Sequence, residues 1–260
     1  MRGGQGLSEM EQNPESQQTG ISGGYRQLPW DDEKVTRFWR WQSQFPEEYF
    51  TNQFGDRIAR ILAPWLKSGN GSVLDYGCGL GFLTRHLAAL GSKVWATDFS
   101  QEAVAITNRR NAGVEGFGGA DTVAAIRSRG QRFSRIVSIE VIEHLDDRHI
   151  ASFFEAIRAM LASDGLVIIT TPNEEHLEKS QIYCPCCDHV FHRYQHVRSF
   201  SAATLGEMVR AHGLEPIKTF TTDFSRRAWW HPKQIVRDLI AISSGVSRRQ
   251  PHLACIARRA

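Results

Sequence analysis

The nine residues Val73-Leu74-Asp75-Tyr76-Gly77-Cys78-Gly79-Leu80-Gly81 carry an apolar segment directly into a turn with glycine at every second position. An apolar run that ends in glycine predicts a buried strand followed by a tight turn. Because glycine has no Cβ, the backbone of such a turn can bend sharply and approach a ligand closely. The stretch therefore predicts a strand, a ligand-contacting turn and a helix over residues 82–90.

Two acidic residues accompany this turn. Asp75 stands at the carboxyl end of the first strand, where it can receive the amino group of a bound amino-acid moiety. Asp98 follows the next predicted strand, Lys93 to Thr97, at a position where a carboxylate can accept ribose hydroxyls. The spacing G-x-G-x-G differs from the dinucleotide pattern G-x-G-x-x-G, whose third glycine supports a helix beneath a pyrophosphate. An NAD-dependent oxidoreductase is therefore the less favoured alternative.

From about Gln53 to its C-terminus, the chain resembles the class I S-adenosylmethionine-dependent methyltransferases in its two acidic residues and its G-x-G-x-G turn. The resemblance implies an α/β fold: a seven-stranded, mostly parallel Rossmann-like sheet with helices on both faces and an antiparallel terminal strand. It also implies S-adenosylmethionine as the cofactor. The residues expected to bind it are Asp75, Gly77, Gly79, Gly81, Asp98, Phe99 and Glu140.

Strand and helix patterns alternate after the glycine turn, which is typical of a parallel sheet with helices on both faces. The predicted elements are a strand over 93–97, a helix over 101–111, a strand over 135–140, a helix over 148–161 and a strand over 165–171. Two further apolar stretches, 214–222 and 253–258, match the closing antiparallel hairpin of a methyltransferase sheet.

Composition and length limit the class of protein. The 260 residues suit one large α/β domain with appendages. A formal net charge of +3 does not demand a nucleic-acid partner. No apolar run approaches the ~20 residues that cross a bilayer, and the N-terminus lacks an apolar signal segment, so a cytoplasmic location is expected. The odd count of five cysteines argues against a secreted disulfide framework.

The composition also divides the chain into three regions. Residues 1–28 are rich in Gly, Gln, Ser and Glu and predict a disordered tail. Residues 29–50 are aromatic and predict an N-terminal cap helix, which either packs against the sheet or covers the active site. Residues 51–260 form the predicted methyltransferase domain, with a Cys/His insertion at about 176–196.

The predicted fourth strand ends in Ser138-Ile139-Glu140-Val141-Ile142-Glu143-His144-Leu145. Strand carboxyl ends line the ligand crevice of open α/β sheets. If a helix begins just after Glu140, then Glu140, Glu143 and His144 share one helical face and converge. Two oxygens and one nitrogen suit a divalent cation such as Mg²⁺ or Mn²⁺.

A Glu-x-x-Glu-His run at this location resembles the ubiquinone-biosynthesis O-methyltransferases and the small-RNA terminal 2′-O-methyltransferases, both associated with a divalent metal. In the RNA group a further histidine follows the fifth strand, which implies His196 as a fourth ligand beside Glu140, Glu143 and His144. Both groups act on adjacent hydroxyls, so the resemblance implies O-methylation. The acceptor stays open between a small molecule or glycan, including a sugar or catechol diol, and an RNA terminus.

A catalytic role without metal is the alternative for the same residues. His144 or His196 would then act as general base, because histidine titrates near neutrality, and Glu143 would hydrogen-bond nearby backbone. The expected catalytic set is therefore His144, His196 and Glu143, whichever chemistry applies.

The insertion contains Tyr183-Cys184-Pro185-Cys186-Cys187-Asp188-His189-Val190-Phe191-His192. Cys184, Cys187, His189 and His192 have the close spacing of a structural zinc knuckle. Cys186 could replace Cys184, the cysteines could be unrelated to metal, and the loop could instead be a substrate lid that carries His196. A non-catalytic S-adenosylmethionine-binding zinc scaffold is thus a second alternative function.

A C-terminal stretch, Arg226-Arg227-Ala228-Trp229-Trp230-His231-Pro232-Lys233, combines aromatic rings with cations before a predicted amphipathic helix over 234–243. Such a segment is compatible with peripheral membrane contact or ring stacking, as well as with core packing.

Overall fold

The computed structural model describes residues 25–67, 71–225, 236 and 250–260. Its strands are β1 (Arg26–Gln27), β2 (Ser72–Tyr76), β3 (Lys93–Asp98), β4 (Phe117–Thr122), β5 (Phe133–Ile139), β6 (Leu161–Pro172), β7 (Gln181–Cys184), β8 (His189–His192), β9 (Leu214–Thr222) and β10 (His252–Arg259). Its α-helices are α1 (Asp32–Gln42), α2 (Phe50–Leu66), α3 (Thr84–Ala88), α4 (Gln101–Asn111), α5 (Val123–Ser128), α6 (Asp147–Met160) and α7 (Ala202–Ala211).

Seven of these strands form one sheet in the order β4-β3-β2-β5-β6-β10-β9. The pairs from β4 to β6 are parallel, and β10 is antiparallel to both of its neighbours. The predicted fold class is thereby confirmed, including the antiparallel pairing of the last two apolar stretches. The C-terminal strand β10 is not an edge strand, because it lies between β6 and β9.

Helices cover both faces of the sheet, and each face has its own apolar cluster. One cluster contains Phe133, Phe154 and Ile157, all fully buried. The other contains Ile58 and Leu62 of α2, spaced four residues apart so that they share one face of the helix. Burial of apolar side chains on both faces is what holds the strand ends in fixed positions around the site described below.

Local sequence explains where the elements differ from expectation. The helix expected over 82–90 is shortened to α3, and the helix expected over 148–161 begins one residue earlier behind its N-cap Asp146, whose side chain accepts from His149 N. Strand β4 was not predicted, because Gly118 and Gly119 lower the strand propensity of that segment.

A second, three-stranded sheet has the order β1-β8-β7. Strands β7 and β8 form an antiparallel hairpin within the Cys/His insertion, and β1 pairs in parallel with β8. This pairing attaches the chain just before α1 to the insertion. The region 29–50 itself consists of α1, a short 3₁₀ turn at Pro46–Glu48 and the start of α2.

Some expectations fall outside the described residues: the predicted tail up to residue 24, the segment 226–233, and the predicted helix over 234–243 apart from Val236. Within the described part of the chain, no helix combines the length and the hydropathy that crossing a bilayer requires.

Candidate active site

A cavity of about 780 Å³ opens at the carboxyl edge of the large sheet. One wall is the glycine turn, against which Tyr49 lies, and helix α1 also lines the cavity. Its far end is formed by Glu143, His144 and the segment 194–197. This volume is typical of sites for small molecules, and the carboxyl edge is where open α/β sheets bind ligands.

The conformation of the glycine turn depends on backbone hydrogen bonds and on the absence of side chains at its glycines. Gly77 N and Cys78 N both donate to Thr97 O, at 2.8 and 3.0 Å. Gly77 has a φ of 75°, and a Cβ there would lie 2.6 Å from a methyl group of Val141. Glycine is therefore required at position 77 both by conformation and by space.

Asp98 is fixed against the same turn. Its Oδ2 accepts from Gly79 N at 2.9 Å, and its Oδ1 accepts from Ser100 N at 3.0 Å. Burial raises the pKa of Asp98, although the backbone hydrogen bonds oppose this shift. Asp98 lines the cavity, and so does Phe99, whose side chain is exposed at the cavity rim.

Asp75 and Gly81 lie behind this wall. Among the described residues that line the cavity, neither is present. Asp75 is buried, and its Oδ2 accepts from Thr84 Oγ1 at 2.7 Å. Burial raises the pKa of Asp75 to about 7, against the effect of that hydrogen bond. Asp75 thus links the glycine turn to helix α3 on the side away from the cavity.

Helix α4 supplies two side chains that the sequence did not single out. Thr107 Oγ1 donates to Gly79 O at 3.0 Å, and Asn111 Nδ2 donates to Gly81 O at 3.1 Å. Both side chains are completely buried. They satisfy carbonyls that the left-handed turn leaves without sheet partners. The signal that identifies them is their spacing. Two polar residues four positions apart lie on the same face of a helix, which here is the buried face.

The second half of the cavity begins at Glu140, directly after β5. Its backbone has a φ of 52°, and Val141 has a φ of −126°, so no regular helix begins here. Glu140 Oε1 accepts from Thr170 Oγ1 at 2.8 Å. Burial raises the pKa of Glu140 to about 8. The expected sharing of one helical face by Glu140 and Glu143 is wrong, because the chain makes a left-handed turn between them.

Glu143 lies in a short 3₁₀ turn and is only 1% exposed. Its Oε2 accepts from Thr171 Oγ1 at 3.1 Å. Its Oε1 is buried and has no hydrogen-bond partner among the described residues. Burial, followed by repulsion from Glu140, raises the pKa of Glu143 well above its usual range. A buried acceptor of this kind is satisfied by a proton of its own, a water molecule or a cation.

His144 is oriented by the segment that follows the hairpin. Its Nδ1 lies 3.4 Å from Gln195 O, and Gln195 Nε2 donates to His144 O at 3.0 Å. Trp39 of α1 packs edge-on against the imidazole, with ring centroids 5.0 Å apart. Burial lowers the pKa of His144 to about 3, so the ring is neutral at physiological pH.

His196 belongs to a cluster in which one member, Glu175, is not predicted from the sequence. Its Nδ1 lies 2.5 Å from Oε2 of Glu175, and Oε1 of Glu175 lies 3.3 Å from Nε2 of His192. Burial raises the pKa of Glu175, but the hydrogen bonds from the two imidazoles outweigh it and lower this pKa to about 2. Burial lowers the pKa of His196, against the effect of Glu175. The available signal for Glu175 was its position shortly after β6, at the ligand edge of the sheet.

Two groups of potential ligand atoms result, in each of which the atoms lie within 4.8 Å of one another. The first is Glu143, His144 and His196, and the second is Glu175, His192 and His196. Glu140 belongs to neither group, so the structure does not bring it into the expected four-residue set.

The expected zinc set of Cys184, Cys187, His189 and His192 is not assembled among the described residues. His189 lies directly opposite Cys184 in the hairpin, and its Nδ1 is 2.6 Å from Cys187 O. His192 is three residues further along β8, and side chains separated by an odd number of residues point to opposite faces of a strand. It therefore faces Glu175 instead of the cysteines.

Comparison with known proteins identifies the chain's relatives. A family model described as a methyltransferase domain matches residues 41–219. A ubiquinone biosynthesis O-methyltransferase of Ruegeria sp. (strain TM1040) is 30% identical over 128 residues, which cover 48% of this chain and 51% of that protein. The corresponding enzyme of Chelativorans sp. (strain BNC1) is 34% identical over 103 residues, covering 39% and 40%. The chain thus spans about half the length of the curated relatives it matches.

A solved structure extends the comparison of folds. The 1,6-didemethyltoxoflavin-N1-methyltransferase of Burkholderia thailandensis, solved with its acceptor and S-adenosylhomocysteine, aligns with a TM-score of 0.60 at 19% identity. The alignment covers 91% of this chain and 94% of that one. The resemblance inferred from the G-x-G-x-G turn and its acidic residues is confirmed by these matches.

Proposed function

The chain belongs to the methyltransferase-domain family, and from this premise we propose that it transfers the methyl group of S-adenosylmethionine to a hydroxyl oxygen. The proposed acceptor is a small molecule or glycan with two adjacent hydroxyls. The observation that carries the proposal is that Glu143, His144 and His196 lie together at the end of the cavity whose wall is the glycine turn. A donor site and a group of oxygen- and metal-binding side chains therefore face one enclosed space.

The cofactor side of the proposal depends on Asp98, Phe99 and the turn. Each oxygen of Asp98 accepts one backbone hydrogen bond and keeps a further lone pair for a ribose hydroxyl. Phe99 offers an exposed ring at the rim for the adenine. The backbone of Gly77 and Gly79, which both line the cavity, is available to the rest of the molecule because neither residue carries a side chain.

The acceptor side fits a divalent cation such as Mg²⁺ or Mn²⁺, held by Glu143, His144 and His196. The fit is supported by the unpartnered Oε1 of Glu143 and by ligand atoms within 4.8 Å of one another. When bound, such a cation lowers the pKa of a coordinated hydroxyl and fixes its oxygen. His144 is better suited to be a neutral ligand than a general base, because a group with a pKa of about 3 holds a proton weakly.

In the proposed reaction the acceptor oxygen forms a bond to the methyl carbon while the carbon–sulfur bond breaks. The hydroxyl proton leaves to solvent, so the products are a methyl ether, S-adenosylhomocysteine and a proton. The sulfonium is already a reactive donor, so the protein mainly aligns the two reactants. Trp39 and Tyr49 contribute by covering the space between the turn and His144.

The charge of the cavity favours a neutral or cationic acceptor over a nucleic acid. Among the described residues that line it, Arg40 is the single arginine or lysine, and it lies 3.9 Å from Glu102. The acidic side chains that line it are Asp31, Asp32, Glu48, Asp98, Glu102, Glu140, Glu143, Asp146 and Glu175, of which Glu140 and Glu143 have raised pKa values. A phosphate backbone needs cations along its path, which this lining does not offer.

The experiment begins with calorimetric titration of the protein with S-adenosylhomocysteine and, separately, with NAD. Labelled S-adenosylmethionine is then incubated with fractionated cell extract and with matched pairs of compounds that differ only in having one hydroxyl or two adjacent hydroxyls. We expect binding of S-adenosylhomocysteine alone, label on oxygen, and preference for the diol. Binding of NAD instead would favour an oxidoreductase.

The same assay separates the parts of the proposal. Label found only on nitrogen would overturn O-methylation. Full activity in EDTA would remove the cation from the proposal. Binding of S-adenosylhomocysteine without transfer to any compound or fraction would favour a non-catalytic binding protein.

A further inference from the structure

Glu175 lines the cavity and contacts one of the proposed ligands, His196. It follows β6, at the carboxyl edge of the sheet, and its side chain is 20% exposed. Its two carboxylate oxygens face two different imidazoles, those of His192 and His196. The two rings are stacked, with centroids 4.3 Å apart and planes inclined by 16°. This arrangement holds the carboxylate in one orientation.

The protonation of His192 follows from its backbone partners. Its Nδ1 lies 3.3 Å from Tyr194 N and 3.2 Å from His196 N, and both of these groups are donors. Nδ1 must therefore accept and cannot carry a proton. The proton of the neutral ring is on Nε2, which lies 3.3 Å from Glu175 Oε1 but does not meet hydrogen-bond geometry with any partner among the described residues. His192 thus has no lone pair left for a metal, which argues against a second cation between Glu175 and His192.

The same reasoning determines the tautomer of His196. A carboxylate oxygen only accepts, so the 2.5 Å contact between Glu175 Oε2 and His196 Nδ1 requires the proton to be on Nδ1. The lone pair of His196 is then on Nε2. His144 has the same arrangement, because its Nδ1 faces the carbonyl of Gln195. Two histidines of the cluster are thereby set in the same tautomer by different partners.

We propose that Glu175 is a positioning residue that keeps His196 in its Nδ1–H tautomer and presents Nε2 to the site formed with Glu143 and His144. This inference rests on the proposed function in so far as that site takes a divalent cation. A metal-binding histidine commonly donates its other ring N–H to a carboxylate, and loss of such a partner typically costs 10–100-fold in metal affinity. The proposal gives His196, at the end of the insertion, a role that does not require zinc.

The test uses Glu175→Gln, which keeps the shape of the side chain and removes its charge. Glu178→Gln is the matched control, because Glu178 is a surface residue whose partner is His176. Glu175→Asp restores the charge on a shorter side chain and should recover part of the effect. Melting curves of all variants establish that they are folded.

The first measurement is the tautomer of His196 in the metal-free full chain, by ¹⁵N NMR of the histidine rings, with the signal assigned by its loss in His196→Gln. We expect Nδ1–H in the wild type and in Glu178→Gln, and a shift toward Nε2–H in Glu175→Ala, which leaves no side-chain acceptor for Nδ1–H, whereas the amide oxygen of Glu175→Gln can still accept from it. An Nε2–H tautomer in the wild type, or an unchanged tautomer in Glu175→Ala, would overturn the proposal.

The second measurement is calorimetric titration with Mn²⁺ alone. We expect Glu175→Gln to weaken Mn²⁺ binding by about 10–100-fold and Glu178→Gln to leave it unchanged. Equal Mn²⁺ affinity in wild type and Glu175→Gln would overturn the role toward the site. If the wild type binds no Mn²⁺ while the tautomer still depends on Glu175, the cation part of the proposed function fails and the control of His196 by Glu175 stands.

Discussion

The two halves of the cavity are built in different ways. On the cofactor side, the hydrogen bonds of the glycine turn to Asp98 and α4 join residues no more than 30 positions apart in sequence, such as Gly79 and Asp98, 19 residues apart. On the acceptor side, the partners come from distant segments, such as Trp39 and Gln195, 156 residues apart. The cofactor side is mainly backbone, whereas the acceptor side is mainly side chain. We therefore expect substitutions to affect one function at a time.

The largest difference between the effects on the two halves of the cavity is expected for Glu143→Gln. If the proposed cation binds here, loss of this ligand should lower methyl transfer by about 100-fold or more, because that cation would no longer be held. Binding of S-adenosylhomocysteine, measured by calorimetry, should change by less than about twofold, since Glu143 is on the acceptor side. Glu155→Gln, on the surface of α6, is the control. An equal loss of S-adenosylhomocysteine affinity would show that the two halves are not independent.

The next effect is expected for Gly77→Ala. The left-handed backbone costs about 1–2 kcal/mol for any residue with a Cβ. The new Cβ, 2.6 Å from Val141, adds an overpacking cost, so the free energy of unfolding in urea should fall by about 3 kcal/mol. Gly113 has a φ of 81° and no neighbour within 4 Å, so Gly113→Ala measures the backbone term alone, about 1 kcal/mol. Equal losses in the two variants would exclude the contact with Val141.

Asp75→Asn should change the pH dependence of stability. The pKa of Asp75 is about 7 in the folded protein and about 4 in the unfolded chain, so the wild type loses stability as the pH rises between these values. The variant lacks this titration, so its free energy of unfolding relative to that of the wild type should rise by about 4 kcal/mol between pH 4 and pH 8. Urea titrations at several pH values provide the measurement.

The same variant tests whether Asp75 contacts the cofactor. Because Asp75 lies behind the cavity wall, we expect S-adenosylhomocysteine affinity to change by less than about threefold, a factor worth under 1 kcal/mol. A loss above tenfold would support the direct contact with an amino group that the sequence predicts.

The smallest effect is expected for Thr107→Val. It removes the hydroxyl that donates to Gly79 O and leaves a buried carbonyl without that partner, at a cost of about 1 kcal/mol. The affinity for S-adenosylhomocysteine should fall a few-fold, with no effect on Mn²⁺ binding. Ser128→Ala, which removes an exposed hydroxyl at the end of α5, away from the cavity lining, is the control. A Thr107→Val variant with unchanged stability would mean that another donor replaces the hydroxyl.

The cofactor side could be predicted from sequence because its geometry is local. An apolar strand, a glycine turn and a second strand ending in Asp98 each have a pattern within a few residues. The pattern did not show that Asp75 lies behind the turn. That placement depends on Thr84 and on the packing of α3 against the sheet, which no short pattern encodes.

The acceptor side could be predicted only in part. Glu143, His144 and His196 were identified by residue type, and the structure brings them together. Glu140 was assigned to the same group on helical spacing, which fails where the backbone turns at φ 52°. Glu175 was not identified, because its role depends on two histidines that reach it through the β7–β8 hairpin.

The pairing of β1 with β8 has a consequence for how the protein is made. A ribosome releases the chain from its N-terminus, so the bonds around Gly79 can form once residues up to about 111 have emerged. The contacts of β1 and Trp39 must wait until residues 189–195 follow. We therefore expect a nascent chain whose donor half is already ordered while its acceptor half is still open, and whose cavity closes late in synthesis.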